Sequence, residues 1–193
     1  NLIDLNFNGQ RKKIIIVDDL SDDSTCEVVR HYSDHVQLIR SSERLGKASG
    51  INKAMAEVDT TLVMFVDCRQ ELDVDVIINL SSWFEDREDI GAVSGELMFR
   101  VEGDSGFSQG IDGYWKYEKF IRKNEALISS VPGVTGALYM LRTSAFDPIP
   151  DDTLLDDVQI PMVCGSKGYR VIYDDRALAW DTPSKSIEKE KQR

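Results

Sequence analysis

The sequence predicts an α/β fold in which helices flank a mostly parallel sheet. Two short apolar runs, Ile14-Ile-Ile-Val17 and Leu62-Val-Met-Phe-Val66, show no alternation of polar and apolar residues. Continuous runs of this kind are typical of strands that are buried on both faces, as in parallel sheets. Helix patterns lie between them, and an alternation of strands with helices is the signature of an α/β sheet.

The first half of the chain contains three strand–helix units. Ser21 to Thr25 supply turn and N-cap residues, so we expect the first helix to begin near Thr25. Gly46 and Lys47 open the second helix, and apolar residues at core spacing mark the third. The expected strands are residues 12–19, 36–40 and 62–66, and the expected helices are residues 25–32, 48–58 and 74–84.

The second half is less regular. Residues 100–113 are polar and rich in glycine, which indicates a mobile loop, and the mixed apolar and charged residues 114–128 predict an amphipathic helix. Pro161 is expected to kink a helix over residues 157–164. The remaining expected strands are residues 92–99, 137–141, 169–173 and 177–180, the last two being neighbours.

Composition limits the classes of protein to consider. The 193 residues correspond to one domain, and the net charge of −11 has the wrong sign for a non-specific nucleic-acid binder. Three widely spaced cysteines and two histidines argue against a disulfide framework or a zinc site. No apolar run is long enough to span a bilayer. We therefore expect a cytoplasmic domain, cut at both ends from a longer protein.

Aspartates at three places are the candidate site residues. Asp18 and Asp19 end the first strand, Asp67 follows another, and Asp156-Asp157 open a late helix. Ligands of open α/β sheets bind at the carboxyl ends of the strands, and carboxylate oxygens suit Mg²⁺ or Mn²⁺. Each aspartate also has a purely structural alternative, as a helix cap, a turn residue or a partner of the helix dipole.

Two further features have both a functional and an ordinary interpretation. A lysine and free N–H groups at a helix start favour a phosphate, so Lys47 is a candidate phosphate ligand, and the ordinary alternative is a surface lysine after a turn. Trp115 could flank a cleft, but an aromatic residue on an amphipathic helix is more often part of a core.

Taken in order, these segments resemble the family 2 glycosyltransferases, which have a GT-A fold. The likeness covers about residues 12–180. It rests on the strand, aspartate pair and turn of residues 14–25, on Gly46-Lys-Ala-Ser-Gly-Ile-Asn52, on Val63-Met-Phe-Val-Asp67, on Gly136-Ala-Leu-Tyr-Met-Leu-Arg142, and on Leu155-Asp-Asp157 followed by residues 168–173.

The resemblance implies a role for each of these positions. Asp18 or Asp19 would contact the nucleoside of a nucleotide-sugar donor, and Lys47 its diphosphate. Asp67 would lie at the diphosphate and bind Mg²⁺ or Mn²⁺. Asp157, next to Asp156, would be the base that deprotonates the acceptor hydroxyl, with inversion at the anomeric carbon. Gly136 and Trp115 would lie on the acceptor side.

The chain departs from the family pattern at two places. Asp67-Cys68-Arg69 stands where the family has DxD, so Arg69 could pair with a phosphate in place of a metal ligand. The family's first strand, which helps to form the nucleotide pocket, has no counterpart before Asn1. An inactive nucleotide-sugar-binding module is therefore one alternative.

The other alternative is a phosphoreceiver domain, with Asp67 as phosphoacceptor. It would need a Lys-Pro pair that the sequence lacks. We therefore expect a donor such as a UDP-sugar and an acceptor that is a polysaccharide or lipid-linked glycan. We expect no nucleic-acid partner, and membrane attachment only through segments outside this sequence.

Overall fold

The computed structural model describes residues 1–9, 12–100 and 106–181, and for residues 106–116 it describes the backbone alone. The strands are β1 (Ile14–Asp18), β2 (Val36–Arg40), β3 (Leu62–Val66), β4 (Glu71–Leu72), β5 (Ile90–Phe99), β6 (Leu138–Arg142) and β7 (Arg170–Asp181). The α-helices are α1 (Thr25–Arg30), α2 (Gly46–Ala56), α3 (Val76–Ser81), α4 (Gly106–Ile128) and α5 (Asp156–Ser166). Short 3-10 turns cover Leu2–Asp4, Ser82–Phe84 and Thr143–Ala145.

The strands form two sheets. β1 and β2 pair in parallel, and the other five strands have the order β3-β6-β5-β7-β4. Within the larger sheet β5 and β7 are parallel, whereas β6 is antiparallel to both of its neighbours and β4 is antiparallel to β7. The α/β class is as predicted, but the larger sheet is mixed and not mostly parallel. Continuous apolar runs report burial on both faces, and the antiparallel strands β3 and β6 have this burial as well, since each contributes side chains to the apolar cores on both faces of the sheet.

Each face of the larger sheet has its own apolar core. Along β6 the side chains alternate, so that Tyr139 and Leu141 join one core while Leu138 and Met140 join the other. Helices α2 and α5 cover the first face with residues such as Ile51 and Ile160. Helix α3 and the 3-10 turn after it cover the second with Val76, Ile77, Leu80 and Phe84.

A cavity of about 1550 Å³ lies against β1 and β3. Four consecutive residues of β1 (14–17) and all five residues of β3 line it. Because successive side chains of a strand point to opposite faces, lining by consecutive residues means that the cavity meets an edge of each strand. Among the described strands, β1 pairs only with β2 and β3 only with β6, so each has one edge at this cavity.

Two expectations about individual elements need correction. Residues 106–113 were expected in a mobile loop but belong to α4, since helix propensity is a weak prior that tertiary context overrides. Residues 101–105 of that loop lie outside the described residues. The strands predicted at residues 169–173 and 177–180 form one strand, β7. It pairs with β5 on both sides of a break in the register, where residues 174–177 have no partner in β5.

The described residues contain no helix that is both long enough and apolar enough to cross a membrane.

Candidate active site

Asp19 is joined to the start of helix α2. Its two carboxylate oxygens accept hydrogen bonds from the backbone amides of Leu45 (3.0 Å) and Gly46 (2.8 Å), and these bonds lower the pKa of Asp19. Gly46 has a φ of +84°, which a residue with a side chain rarely adopts. Two amides expected to be free for a phosphate are therefore bound to Asp19. Asp19 thus caps the start of α2, which was its structural alternative, and it also lines the cavity.

Asp18 is buried and its carboxylate is satisfied within the chain. It accepts hydrogen bonds from the Cys26 thiol (2.9 Å) and the Ser21 amide (3.0 Å), and it pairs with Arg40 at 3.3 Å. The bonds from Cys26 and Ser21, with the nearby Arg40 charge, hold the pKa of Asp18 below its usual range. These contacts fix the turn that follows β1, and Asp18 does not line the cavity.

Lys47 brings together the ends of two different elements. Its ammonium nitrogen lies 3.1 Å from Asp156 at the start of α5 and 3.7 Å from Asp67 at the end of β3. The side chain of Lys47 is half exposed, whereas that of Asp156 is only 8% exposed. Lys47, Asp67 and Asp156 all line the cavity, so the sequence-predicted aspartates of β3 and α5 do meet at one place.

Asp157 lies beside Gly136. A Cβ atom added at Gly136 would be 3.1 Å from Oδ2 of Asp157, so glycine leaves room for this carboxylate. Gly136 lines the same cavity as Lys47 and Asp67, which places Asp157 near the same end of the sheet. Trp115 lies in α4, but the structure does not describe its side chain. Its expected role on the acceptor side therefore stays a prediction.

Arg69 has a partner that the sequence did not indicate. Its guanidinium lies 3.0 Å from the carboxylate of Asp181 at the end of β7. Arg69 lies just before β4, and the pairing of β4 with the end of β7, in which Glu71 is opposite Trp180, brings it to Asp181. Local spacing in the sequence gives no sign of this pairing. Arg69 is half exposed and could still turn toward a phosphate.

The site does not fit a preformed binding site for Mg²⁺ or Mn²⁺. Within the described residues there is no group of three or more His, Cys, Asp or Glu side chains that could hold a metal ion. The Lys47 ammonium is already close to both Asp67 and Asp156, and Arg69 replaces a second carboxylate. Protein sites for Mg²⁺ often use one or two carboxylates plus substrate phosphates, so Asp67 as a ligand stays a prediction.

Two residues that support the site were not singled out from the sequence. Asn52, six residues into α2, clamps the backbone of Ile149 by donating to its carbonyl (2.8 Å) and accepting from its amide (3.1 Å). Ser94 is fully buried and accepts a hydrogen bond from the amide of Thr135, next to Gly136 (2.8 Å). Asn52 ends the segment Gly46-Lys-Ala-Ser-Gly-Ile-Asn52, and its place in that motif is the sequence feature that could have indicated its role.

Comparison with protein families gives one match over most of the chain. The model of "Glycosyl transferase family 2" matches residues 1–149. Among curated proteins, poly-beta-1,6-N-acetyl-D-glucosamine synthase of Staphylococcus aureus is 25% identical over 186 residues, which is 93% of this chain and 44% of that protein. The Staphylococcus epidermidis protein of the same name is 23% identical over 91% of this chain. The chain thus spans less than half the length of these relatives.

Solved structures share the fold. A mannosyltransferase from Pyrobaculum calidifontis, in complex with GDP-Man and Mn²⁺, matches with a TM-score of 0.77 and 20% identity over 93% of this chain and 50% of its own. Residues 1–349 of S. aureus TarS, in complex with UDP, match with a TM-score of 0.61 and 15% identity over 95% of this chain and 54% of that one.

Proposed function

Because the chain belongs to glycosyl transferase family 2, we propose that it transfers a sugar from a nucleoside-diphosphate donor to a hydroxyl group of a glycan. The GT-A fold expected from the sequence is confirmed by the family match and the structural likenesses. Family membership leaves the phosphoreceiver alternative without support. One observation carries the proposal, namely the meeting of Lys47, Asp67 and Asp156 at one cavity, with Asp157 beside it.

The proposed reaction is a single displacement. The acceptor oxygen attacks the anomeric carbon while the bond from that carbon to the diphosphate oxygen breaks, which inverts the configuration. Asp157 takes the proton of the acceptor hydroxyl, and the nucleoside diphosphate leaves. Lys47 would stabilise the negative charge that develops on the diphosphate, since an ammonium group favours phosphate oxygens. A divalent cation, when bound with the donor, would supply further charge neutralisation there.

The donor and acceptor classes are inferred from the relatives. The staphylococcal relatives are named for a polymer of N-acetylglucosamine, which favours a UDP-linked N-acetylhexosamine as donor and a growing polysaccharide as acceptor. A lipid-linked acceptor is the second candidate. The three cysteines are free, as expected in a reducing compartment, so we propose a cytoplasmic location, at the membrane face if the acceptor is lipid-linked.

Calorimetric titration with UDP, GDP and ADP, each with and without Mn²⁺, tests donor binding. Saturable binding of UDP alone would support a UDP-sugar donor, and binding of GDP alone would overturn that choice. Binding that Mn²⁺ strengthens would support Asp67 as a ligand of a donor-bound cation. Failure of all three nucleotides to bind would contradict the proposed function.

Asp157→Asn tests the base. We expect transfer to fall by about 10²–10⁴-fold, the usual contribution of a general base, with donor affinity unchanged. Asp152→Asn, at an exposed position just before the site, is the matched control and should transfer normally. Equal loss of donor binding and transfer in Asp157→Asn would argue against a base role. Donor binding without any transfer by the unaltered protein would favour the inactive module.

A further inference from the structure

Two buried polar atoms at the site have no hydrogen-bond partner. Among the residues that the structure describes, they are the phenolic oxygen of Tyr139 and Oδ2 of Asp156. Asp156 Oδ2 is within ion-pair distance of Lys47, at 3.1 Å, but this contact does not have hydrogen-bond geometry. Tyr139 is 1% exposed and Asp156 is 6% exposed. A buried phenol without a hydrogen-bond partner costs free energy, and the Asp156 carboxylate keeps hydrogen-bond capacity that its ion pair with Lys47 does not use, so each calls for an explanation.

The two residues line the same cavity from different elements. Tyr139 lies on β6, directly opposite Phe65 of β3, and their rings stack with centroids 4.7 Å apart. This stacking, with β3 and β5 paired on either side of β6, fixes the position of the phenol. Asp156 opens α5, and both residues line the cavity together with Lys47 and Asp67.

The phenol is held as a hydrogen-bond donor. Burial raises the pKa of Tyr139 well above its usual range, and the negative charges of Asp156, Asp157 and Asp67 raise it further. Tyr139 therefore keeps its proton at any physiological pH. A neutral phenol and a carboxylate, on two residues that line one cavity, offer one donor and one acceptor. Together they match a group that both accepts and donates a hydrogen bond.

We propose that Tyr139 and Asp156 together bind one hydroxyl group of a sugar, with Tyr139 donating to the hydroxyl oxygen and the hydroxyl donating to Asp156 Oδ2. This inference rests on the proposed function and deepens it, because it identifies residues that select the sugar. The hydroxyl could belong to the donor sugar or to the acceptor sugar. Both have the same chemistry, and separate measurements of donor affinity and acceptor KM distinguish them.

The experiment uses Tyr139→Phe, which removes only the hydroxyl. Tyr173→Phe is the matched control, because Tyr173 is also buried with an unpartnered phenol but does not line the cavity. Calorimetry measures the Kd of UDP and of UDP-N-acetylglucosamine for the unaltered protein and both variants. Steady-state transfer to β-1,6-linked N-acetylglucosamine oligomers measures the KM of the acceptor.

If the hydroxyl is on the donor sugar, Tyr139→Phe should weaken UDP-N-acetylglucosamine binding by about three- to tenfold, the effect of one hydrogen bond, and leave UDP binding unchanged. If it is on the acceptor, both Kd values should stay constant and the acceptor KM should rise by a similar factor. Tyr173→Phe should change none of the three. No change in Tyr139→Phe, or the same change in both variants, would overturn the inference.

Deoxy analogues of UDP-N-acetylglucosamine and of the acceptor oligomer provide a second measurement on the unaltered protein. One analogue should bind about three- to tenfold more weakly, and Tyr139→Phe should not weaken that analogue further, because the two changes remove the same bond. Additive losses for every analogue would overturn the inference. If the unaltered protein binds UDP but no deoxy analogue binds more weakly than the parent sugar, the inference about Tyr139 and Asp156 alone is contradicted. If no nucleotide binds, the proposed function is contradicted as well.

Discussion

The carbonyl oxygen of Asp157 accepts a hydrogen bond from the amide of Val134 at 2.9 Å. In a regular helix this carbonyl would accept from the residue four positions on, which here is Pro161, inside α5. Proline has no N–H to donate, so the carbonyl is left for the neighbouring segment. The proline was expected to kink the helix. It lies within a continuous α5 and allows this helix to anchor the segment that carries Gly136.

Gly136→Ala tests the space beside Asp157. The added methyl group would lie 3.1 Å from the Asp157 carboxylate, so we expect the carboxylate to be displaced and transfer to fall at least tenfold. Gly165→Ala is the control, because a Cβ there meets nothing within 4 Å. In α5 it should keep activity and raise stability by about 0.5–1 kcal/mol. Normal transfer by Gly136→Ala would show that the reaction does not require the Asp157 carboxylate to occupy the space beside Gly136.

Lys47→Met tests the cation at the centre of the site. Methionine keeps an unbranched apolar side chain but removes the charge near Asp67 and Asp156. We expect the Kd of UDP, measured by calorimetry, to rise at least tenfold. Lys53→Met alters the same helix at a lysine that donates to Ser41, and should change the Kd less than twofold. A similar change in both variants would indicate only a general effect of charge.

Asp18→Asn tests the pH dependence of stability. Because the pKa of Asp18 is lowered from 3.8 in the folded state, the unfolded state binds more protons as the pH falls. The stabilisation from Asp18 is therefore complete above about pH 5 and is lost as the pH falls through the folded pKa. Asp18→Asn should lower the free energy of unfolding at pH 7 by about 1–3 kcal/mol and flatten its fall between about pH 5 and pH 3.

Urea unfolding at a series of pH values measures this effect. Asp22→Asn, four residues along at a side chain that is 91% exposed, is the control and should change stability by less than about 0.5 kcal/mol. An unchanged slope in Asp18→Asn would assign the acid sensitivity to other carboxylates.

Hydrogen exchange tests the two strand edges at the cavity. β6 has partners on both sides, whereas β1 and β3 each have one partner among the described strands. We therefore expect some amides in β1 and β3 to exchange much faster than every amide in β6. Uniform protection of β3 and β6, measured by NMR, would mean that another segment pairs with the free edge of β3.

Local patterns were sufficient for most of the elements but not for their arrangement. Strands β2 and β3 have the predicted bounds, and for β3 the reason is a continuous apolar run, which marks a buried strand whatever its direction. β4 has two residues, too few to produce a pattern, and it was not predicted. Local patterns also could not show how the site is assembled. Asp67 and Asp156 were both candidates from the sequence, but they meet at Lys47 only because α2 packs against both sheets.

The sequence by itself determined the α/β class, the family resemblance and the candidate residues of the site, because strand periodicity and short motifs are local properties of the chain. Only the tertiary structure decided which aspartates meet. Asp18 faces a thiol and an arginine, Asp19 holds the start of α2, and Asp156 lies beside Lys47 with a buried phenol nearby. These roles differ because contacts between distant segments, and not residue type, fix the burial and the partners of each carboxylate.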